Sequence, residues 1–390
     1  MCSASLYLHI PFCVSKCAYC DFYSVPCRRR DDPRLDALVE RLLDDARRWV
    51  HDLGVKHIPT LYIGGGTPSL LGAARIAWLL TGLERLWQKA PDELTVEVNP
   101  ESLDHAFLIA CRNNGVTRIS VGVQSFHEPS RAAIRRAGSA ARALECLDMV
   151  RRVFGTAFSA DLITGLPFQD NAVLLKDIKT LLAYQPAHVS LYALTLEPDT
   201  PMARMARQDK RLLPAPERAD ALYIAARDAL EQASYSQYEV SNFALNNKRG
   251  AHNLRYWRME NWLGLGPAAS STIIDDNSGT GIRYTWERDV DAYLTGSAPL
   301  VERLDQLTLM KETLLMGFRY IDGPDLALFQ KRFGQPLEAS IPRSLAAWQS
   351  LLVSSPSGYA LSKDGLLLLN RFLLDIFTEL DTNTLDTIRA

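Results

Sequence analysis

Residues 6–22 read LYLHIPFCVSKCAYCDF: an apolar, β-rich run feeds straight into three cysteines, Cys13, Cys17 and Cys20. The beat of strand followed by a loop rich in chemistry recurs down the chain. Further β-rich runs are TLYIGGG near 60, LTVEVN near 94, RISVGVQ near 118, AFSADLITG near 157 and HVSLYALT near 188. Helical segments separate them. Over residues 35–53 the apolar positions Leu35, Leu38, Val39, Leu42, Leu43, Ala46, Trp49, Val50 and Leu53 follow the i, i+3, i+4, i+7 spacing. Similar periods run near 71–88, 102–113, 129–153, 171–184 and 216–233. Strand then helix, six times over, predicts an α/β fold with a parallel sheet and crossover helices. The expected form is a partial (β/α)6 TIM-like barrel, with a flat doubly wound sheet as the alternative. In both, ligands collect at the C-terminal ends of the strands. Gly64–Gly66, Glu97, Gln124 and Asp161 fall there.

The rhythm breaks near 235. The aromatic, Asn- and Gly-rich stretch to 299 is expected to be a connecting segment of site-lining loop and strand, between a barrel core (1–234) and a smaller, mainly helical domain (300–390). In the last part SGYALSKDGLLLLN reads as a β-hairpin feeding a helix, so a winged-helix-like module is expected. Lys and Arg number 43 and Asp and Glu 45, a balance that shows no basic nucleic-acid footprint. The start, MCSASLYLHIPF, lacks a positively charged region, and LLLLNRFLL is too short to span a membrane. The expected compartment is the cytoplasm, with a peripheral visit to the inner membrane face left open. Seven cysteines without a leader argue against a disulfide framework.

The trio stands apart from scattered cysteines such as Cys111 and Cys146, which read as small buried hydrophobes. Three thiolates at this spacing suit a zinc ion with a further ligand, a redox C-x-x-C, or an iron–sulfur cluster. Zinc sites usually bring a second pair, and none follows. A redox pair leaves Cys13 idle. A four-iron cluster on three cysteines keeps one iron open for a substrate or cofactor. A zinc-stabilised binding module without such chemistry remains the plain alternative.

CVSKCAYC resembles the C-x-x-x-C-x-x-C signature of the radical S-adenosylmethionine (SAM) superfamily. The resemblance implies a radical SAM barrel and a [4Fe–4S] cluster on Cys13, Cys17 and Cys20, with SAM chelating the fourth iron. LYLHIPFC, YCDF, IGGGTPS, EVNPE, SVGVQSF and DLITGLP are similar to one branch, the oxygen-independent coproporphyrinogen dehydrogenase group. That likeness implies SAM contacts at Tyr7, at Gly64, Gly65, Gly66 and Thr67, and at Glu97, Gln124, Arg136 and Asp161. Carboxylates suit ribose hydroxyls, which donate to a charged acceptor. His9 is expected to order the cluster loop.

Two departures separate the chain from the dehydrogenase itself. Phe22 stands where that enzyme carries a fourth cysteine, and the first strand begins almost at Met1. Both resemble the paralogous heme-chaperone branch, and Phe22 is counted there with the cofactor-contacting residues. HNLRYW, residues 252–257, matches the H-N-x-x-Y-W motif that this branch uses for heme. By resemblance His252 ligates heme iron while Tyr256 and Trp257 pack on the macrocycle; GLGPAASS, further on, lacks the histidine expected there. The implied partners are heme, a heme-acceptor respiratory protein at the membrane face and an electron donor for the cluster, with homodimerisation left open. Enzymatic decarboxylation of coproporphyrinogen III is the alternative.

Overall fold

A computed structural model describes residues 2–87 and 89–389. The six expected strands form as β1 (Ser5–Ile10), β2 (Thr60–Gly65), β3 (Glu93–Val98), β4 (Arg118–Gln124), β5 (Phe158–Thr164) and β6 (His188–Ala193). Each lies beside the next in chain order, and every pair is parallel. A doubly wound sheet reverses its strand order at a switch point. No reversal occurs within this set, so the crossovers wind one way, the sheet curls, and the barrel expectation holds over the flat alternative.

The helices that cover the barrel are α1 (Pro33–Asp52), α2 (Gly72–Glu84), α3 (His105–Asn113), α4 (Ala140–Phe154), α5 (Asn171–Leu182) and α6 (Pro216–Gln232). α1 buries Leu35, Leu38, Val39, Leu42, Leu43, Ala46 and Val50, nearly the whole periodic set read from sequence. Each fully buried aliphatic side chain contributes about 1.5–3 kcal/mol. Asp32 starts the helix by accepting from the Arg34 amide, ahead of Pro33 at a first-turn position where its missing N–H costs nothing. The expected helix at 129–153 is two helices. Glu128–Ala133 stops, Arg135 (φ 54°) and Gly138 (φ 73°) turn the chain, and Ser139 caps α4. A helix at Pro201–Gln208 escaped the sequence reading.

Residues 235–299 build more sheet than a connecting loop would. β7 (Tyr235–Gln237) and β8 (Asn242–Leu245) continue it antiparallel beyond β6. At the other edge β9 (Trp262–Leu265) runs parallel to β1, followed by antiparallel β10 (Ser270–Asp275), β11 (Thr280–Thr285) and β12 (Leu300–Leu304). The result is one twelve-stranded sheet. HNLRYW lies on helix α7 (Ala251–Trp257), where loop and strand were expected.

From Gln306 the chain is helical, interrupted by a hairpin of Leu352–Ser355 and Gly358–Leu361 that leads into Lys363–Leu367 and Leu369–Arg389. Leu309, Leu314, Phe318, Phe329, Phe372 and Ile376 form its core, and Met259 and Trp262 join the same cluster from the barrel side. Among the described residues no helix is long and apolar enough to cross a membrane.

Candidate functional site

The cysteine loop leaves β1 and is clamped on both sides. Phe12–Cys13 pairs with Val25–Pro26, closing the loop at its base. The Ala18 amide donates to the Ile134 carbonyl, and the Ala18 carbonyl accepts from the Met202 amide, both at 2.8 Å. His9 fastens it from below: Nε2 meets the Tyr23 carbonyl and Nδ1 the Tyr7 hydroxyl, each at 2.9 Å. That is the ordering role expected of His9. Gly65 makes the approach possible. At φ +105° it sits so close that a Cβ would stand 2.5 Å from His9 Nδ1.

Cys13, Cys17, Cys20, Phe22, Gly65, Gly66, Glu97, Gln124, Arg136 and Asp161 line one cavity of about 470 Å³ at the C-terminal ends of the strands. Tyr7, Gly64 and Thr67, expected to contact SAM, are not among the residues that line it. The Thr67 hydroxyl contacts Cys13 Sγ at 3.4 Å and accepts from Asn99 Nδ2 at 2.7 Å. A Cβ on Gly64 would meet Glu97 Oε2 at 2.8 Å. His252, Tyr256 and Trp257 do not line this cavity.

The cavity is buried and charged. Glu97 accepts from the Tyr62 hydroxyl (2.6 Å) and the Gly65 amide (3.1 Å), yet burial raises its pKa. Burial raises Asp161 to about 7, with the Glu97 charge adding to the effect and Ser190 and Arg136 opposing it. Arg136, not its exposed neighbour Arg135, enters the site. It donates to Asn99 Oδ1 (2.8 Å) and the Gly122 carbonyl, and its Nη1 lies 3.7 Å from Cys17 Sγ. Burial works against its charge, but Glu101 and Cys17 outweigh it and hold the guanidinium protonated. Tyr62, Asn99 and Glu101 were not singled out in the sequence. Asn99 and Glu101 stand inside the EVNPE segment already quoted, whereas Tyr62 is an ordinary strand residue and leaves no such signal.

A cluster fits these residues better than a single ion does. A zinc ion with bonds of about 2.3 Å gathers its sulfurs into one tight tetrahedron. Among the described residues no three Cys, His, Asp or Glu side chains are so gathered. A four-iron cluster takes each thiolate on a different iron, and all three cysteines line the one cavity. Burial pushes the Cys20 thiol up to about 11, so metal binding must displace protons. Gln124, at φ 71° after a strand irregularity, holds a buried Oε1 with no hydrogen-bond partner at the cavity. Such an atom at a cavity suits a polar ligand.

At the far end of the barrel the imidazole of His252 is packed into the protein. His252 is 2% exposed. Thr60 gives its hydroxyl proton to Ser5, so its oxygen accepts from His252 Nδ1 (2.8 Å). Nε2 is left to accept from the Tyr256 hydroxyl at 3.1 Å. The ring stacks on Tyr62 at 5.2 Å, and the Ala251 and His252 amides both donate to Glu93. Burial, with Arg255 adding to it, lowers His252 to about 3, so the ring is neutral. Ser5, Thr60 and Glu93 are the first residues of their strands, which puts the motif at the opposite end from the cysteines. Heme ligation by His252, with Tyr256 and Trp257 on the macrocycle, is therefore not offered by this arrangement. Both ring nitrogens are spent, Tyr256 faces His252 and Trp262, and Trp257 lies under Arg319.

The barrel, the trio at its mouth and the polar residues around it match a known pattern. The radical SAM superfamily pattern covers residues 7–181, and the HemN C-terminal domain pattern covers residues 304–368. The chain belongs to the radical SAM superfamily. Within it, a mitochondrial radical S-adenosyl methionine domain-containing protein 1 of Bos taurus is 33% identical over 97% of this chain and 88% of its own length. Heme chaperone HemW of Lactococcus lactis is 33% identical over 84% and 85%, and that of Haemophilus influenzae 30% over 96% and 98%. Coproporphyrinogen III oxidase (HemN) of Escherichia coli superposes with a TM-score of 0.80 at 23% identity, covering 96% of this chain and 90% of its own, a likeness of fold. Membership in the radical SAM superfamily implies a [4Fe–4S] cluster and SAM.

Proposed function

We propose that this protein is a radical SAM heme chaperone, which binds heme and passes it to an acceptor haem protein. The cluster sits on Cys13, Cys17 and Cys20, with SAM in the same cavity. The observation that carries the reading is the single cavity shared by the three cysteines, Gly65, Gly66, Glu97, Gln124, Arg136 and Asp161. In it the glycine run admits the amino end of SAM, and Glu97 and Asp161 accept from ribose hydroxyls. Gln124 Oε1 takes the hydrogen bond it lacks, and Arg136 balances the thiolate charge. Tyr7 and Thr67 hold the wall. When bound, the cluster supplies the electron that radical SAM chemistry requires, delivered by an external donor.

The heme part rests on relatives of 30% and 33% identity that are named heme chaperones and cover 96% and 84% of this chain. Phe22 supports it. It is 69% exposed on the cavity rim, an apolar residue where the dehydrogenase branch has a thiol.

One anaerobic, cluster-reconstituted preparation tests the proposal. Half is titrated with heme and followed by absorbance. The other half receives SAM, a reductant and coproporphyrinogen III and is assayed for protoporphyrinogen IX. Stoichiometric heme uptake without product is expected; turnover without stable heme binding overturns the chaperone reading in favour of a decarboxylating enzyme.

A further inference from the structure

A second cavity, of about 1000 Å³, adjoins the cysteine cavity and shares Tyr192, Ala193, Leu194 and Thr195 with it. It lies between the C-terminal ends of β5 and β6 and the last helices of the chain. Its volume stands at the upper end of small-molecule sites, about 300–1,000 Å³. Large apolar side chains face solvent here: Tyr192 is 42% exposed, Leu367 45% and Leu368 49%. An exposed apolar surface inside a concavity marks a binding site more often than a lone exposed leucine does.

Three cations edge the apolar wall: Arg227, Arg319 and Lys363, against one acid, Asp220. Lys363 is paired with Glu231 at 2.6 Å, but the two arginines are under-used. Arg227 spends Nε on Asp228 (3.2 Å), and its Nη1 is buried without a partner. Among the described residues no carboxylate lies within ion-pair distance of Arg319, whose guanidinium rests 5.2 Å over Trp257 with Nε unpartnered. The buried Glu239 lies within electrostatic range of Arg319, but burial raises it to about 7, which weakens it as a counter-charge. Buried donors left without acceptors are costly, and planar guanidinium groups match carboxylates in two-point contacts.

We propose that this cavity seats the tetrapyrrole, its flat face against Tyr192, Leu367 and Leu368 and its carboxylates toward Arg227 and Arg319. The assignment rests on the heme-binding reading above. It also makes a claim that reading lacks. Among the described residues no His, Cys or Met lines this cavity, and of its two tyrosines Tyr223 spends its hydroxyl on the Val240 carbonyl while Tyr192 is given to the ring face. Recognition therefore runs through the ring face and the carboxylates, and does not need the iron.

The test titrates the full-length, cluster-loaded protein with heme, metal-free protoporphyrin IX and heme dimethyl ester. Wild type is expected to bind the first two within a few-fold of each other and the ester at least about tenfold more weakly. Arg227→Gln/Arg319→Gln is expected to lose about tenfold to a hundredfold in affinity for both acids, with cluster absorbance unchanged. Leu367→Glu, at an exposed position that does not threaten folding, is expected to weaken both acids as well. Heme binding that survives all of these changes overturns the site while leaving the heme reading standing. Wild type that binds heme but not metal-free protoporphyrin also overturns it, since that points to an iron ligand elsewhere. Wild type that binds neither overturns the chaperone reading together with the site.

Discussion

The two ends of the barrel carry similar residue types in opposite states. At the C-terminal end Glu97, Asp161, Gln124 and Arg136 surround open space, with Gln124 Oε1 unpartnered and Asp161 raised to about 7. At the N-terminal end His252 and Thr60 are buried, and both nitrogens of the imidazole are engaged. Burial alone does not separate function from structure here, since both sets are buried. What sets His252 apart from Gln124 is that its donors and acceptors have been used up inside the protein. A closed polar network rigidifies the fold, while an incomplete one invites a ligand.

The sharpest way to break this contrast is to remove a cysteine. Cys17→Ala is expected to abolish the iron–sulfur absorbance of the reconstituted protein while the circular dichroism of the fold stays native. A full cluster spectrum in that variant would detach the trio from its proposed role.

Acid probes the N-terminal end. His252, at about 3, and His188, which burial lowers well below its ordinary 6.5, take up protons more readily in the unfolded chain. Between pH 6.5 and the folded values the unfolded state binds more protons, so stability falls as pH falls. Each histidine contributes about 1.4 kcal/mol per pH unit below 6.5. Denaturant melts at pH 7 and 5 should show this loss, and His252→Gln should reduce it; an unchanged slope would mean that the ring is not buried neutral.

The open end should respond the other way. Asp161 is neutral in the fold up to about pH 7 and ionised in the unfolded chain from about 4. Its stabilising share is present at acid pH and disappears as pH rises through that window. Asp161→Asn is therefore expected to stabilise the ligand-free protein at pH 8, on the order of 1 kcal/mol, while weakening SAM binding in calorimetry. Loss of stability in that variant would place Asp161 among the structural residues. Smallest of all, Phe22→Ala should shift stability by less than about 0.5 kcal/mol, because the ring is mostly exposed. A larger loss would show that the rim is packed.

How far these states can be read from sequence differs between the ends. The strands of the barrel were legible because each is a short apolar run before a glycine-rich or polar loop, and because the helices keep a strict period. Cys13–Cys20, Gly64–Gly66 and Glu97 were legible because they follow strands directly, where the topology leaves no choice of end. HNLRYW offered no such constraint. It lies outside the βα rhythm, and its polarity depends on Thr60, Ser5 and Glu93, which are far away in sequence and meet it only in the fold. Arg319 and Leu367 reach the second cavity by the same kind of long-range closure.

The most direct measurement is heme and SAM binding by cluster-loaded His252→Ala, taken beside its thermal melt. The variant leaves the Thr60 oxygen without its donor and the Tyr256 hydroxyl without its acceptor and opens a cavity under Tyr62, at an expected cost of about 2–4 kcal/mol. If His252 is structural, the protein melts earlier but still takes up cluster, SAM and heme at wild-type stoichiometry. Loss of heme binding with an unchanged melting temperature would contradict this and return His252 to the role of heme ligand.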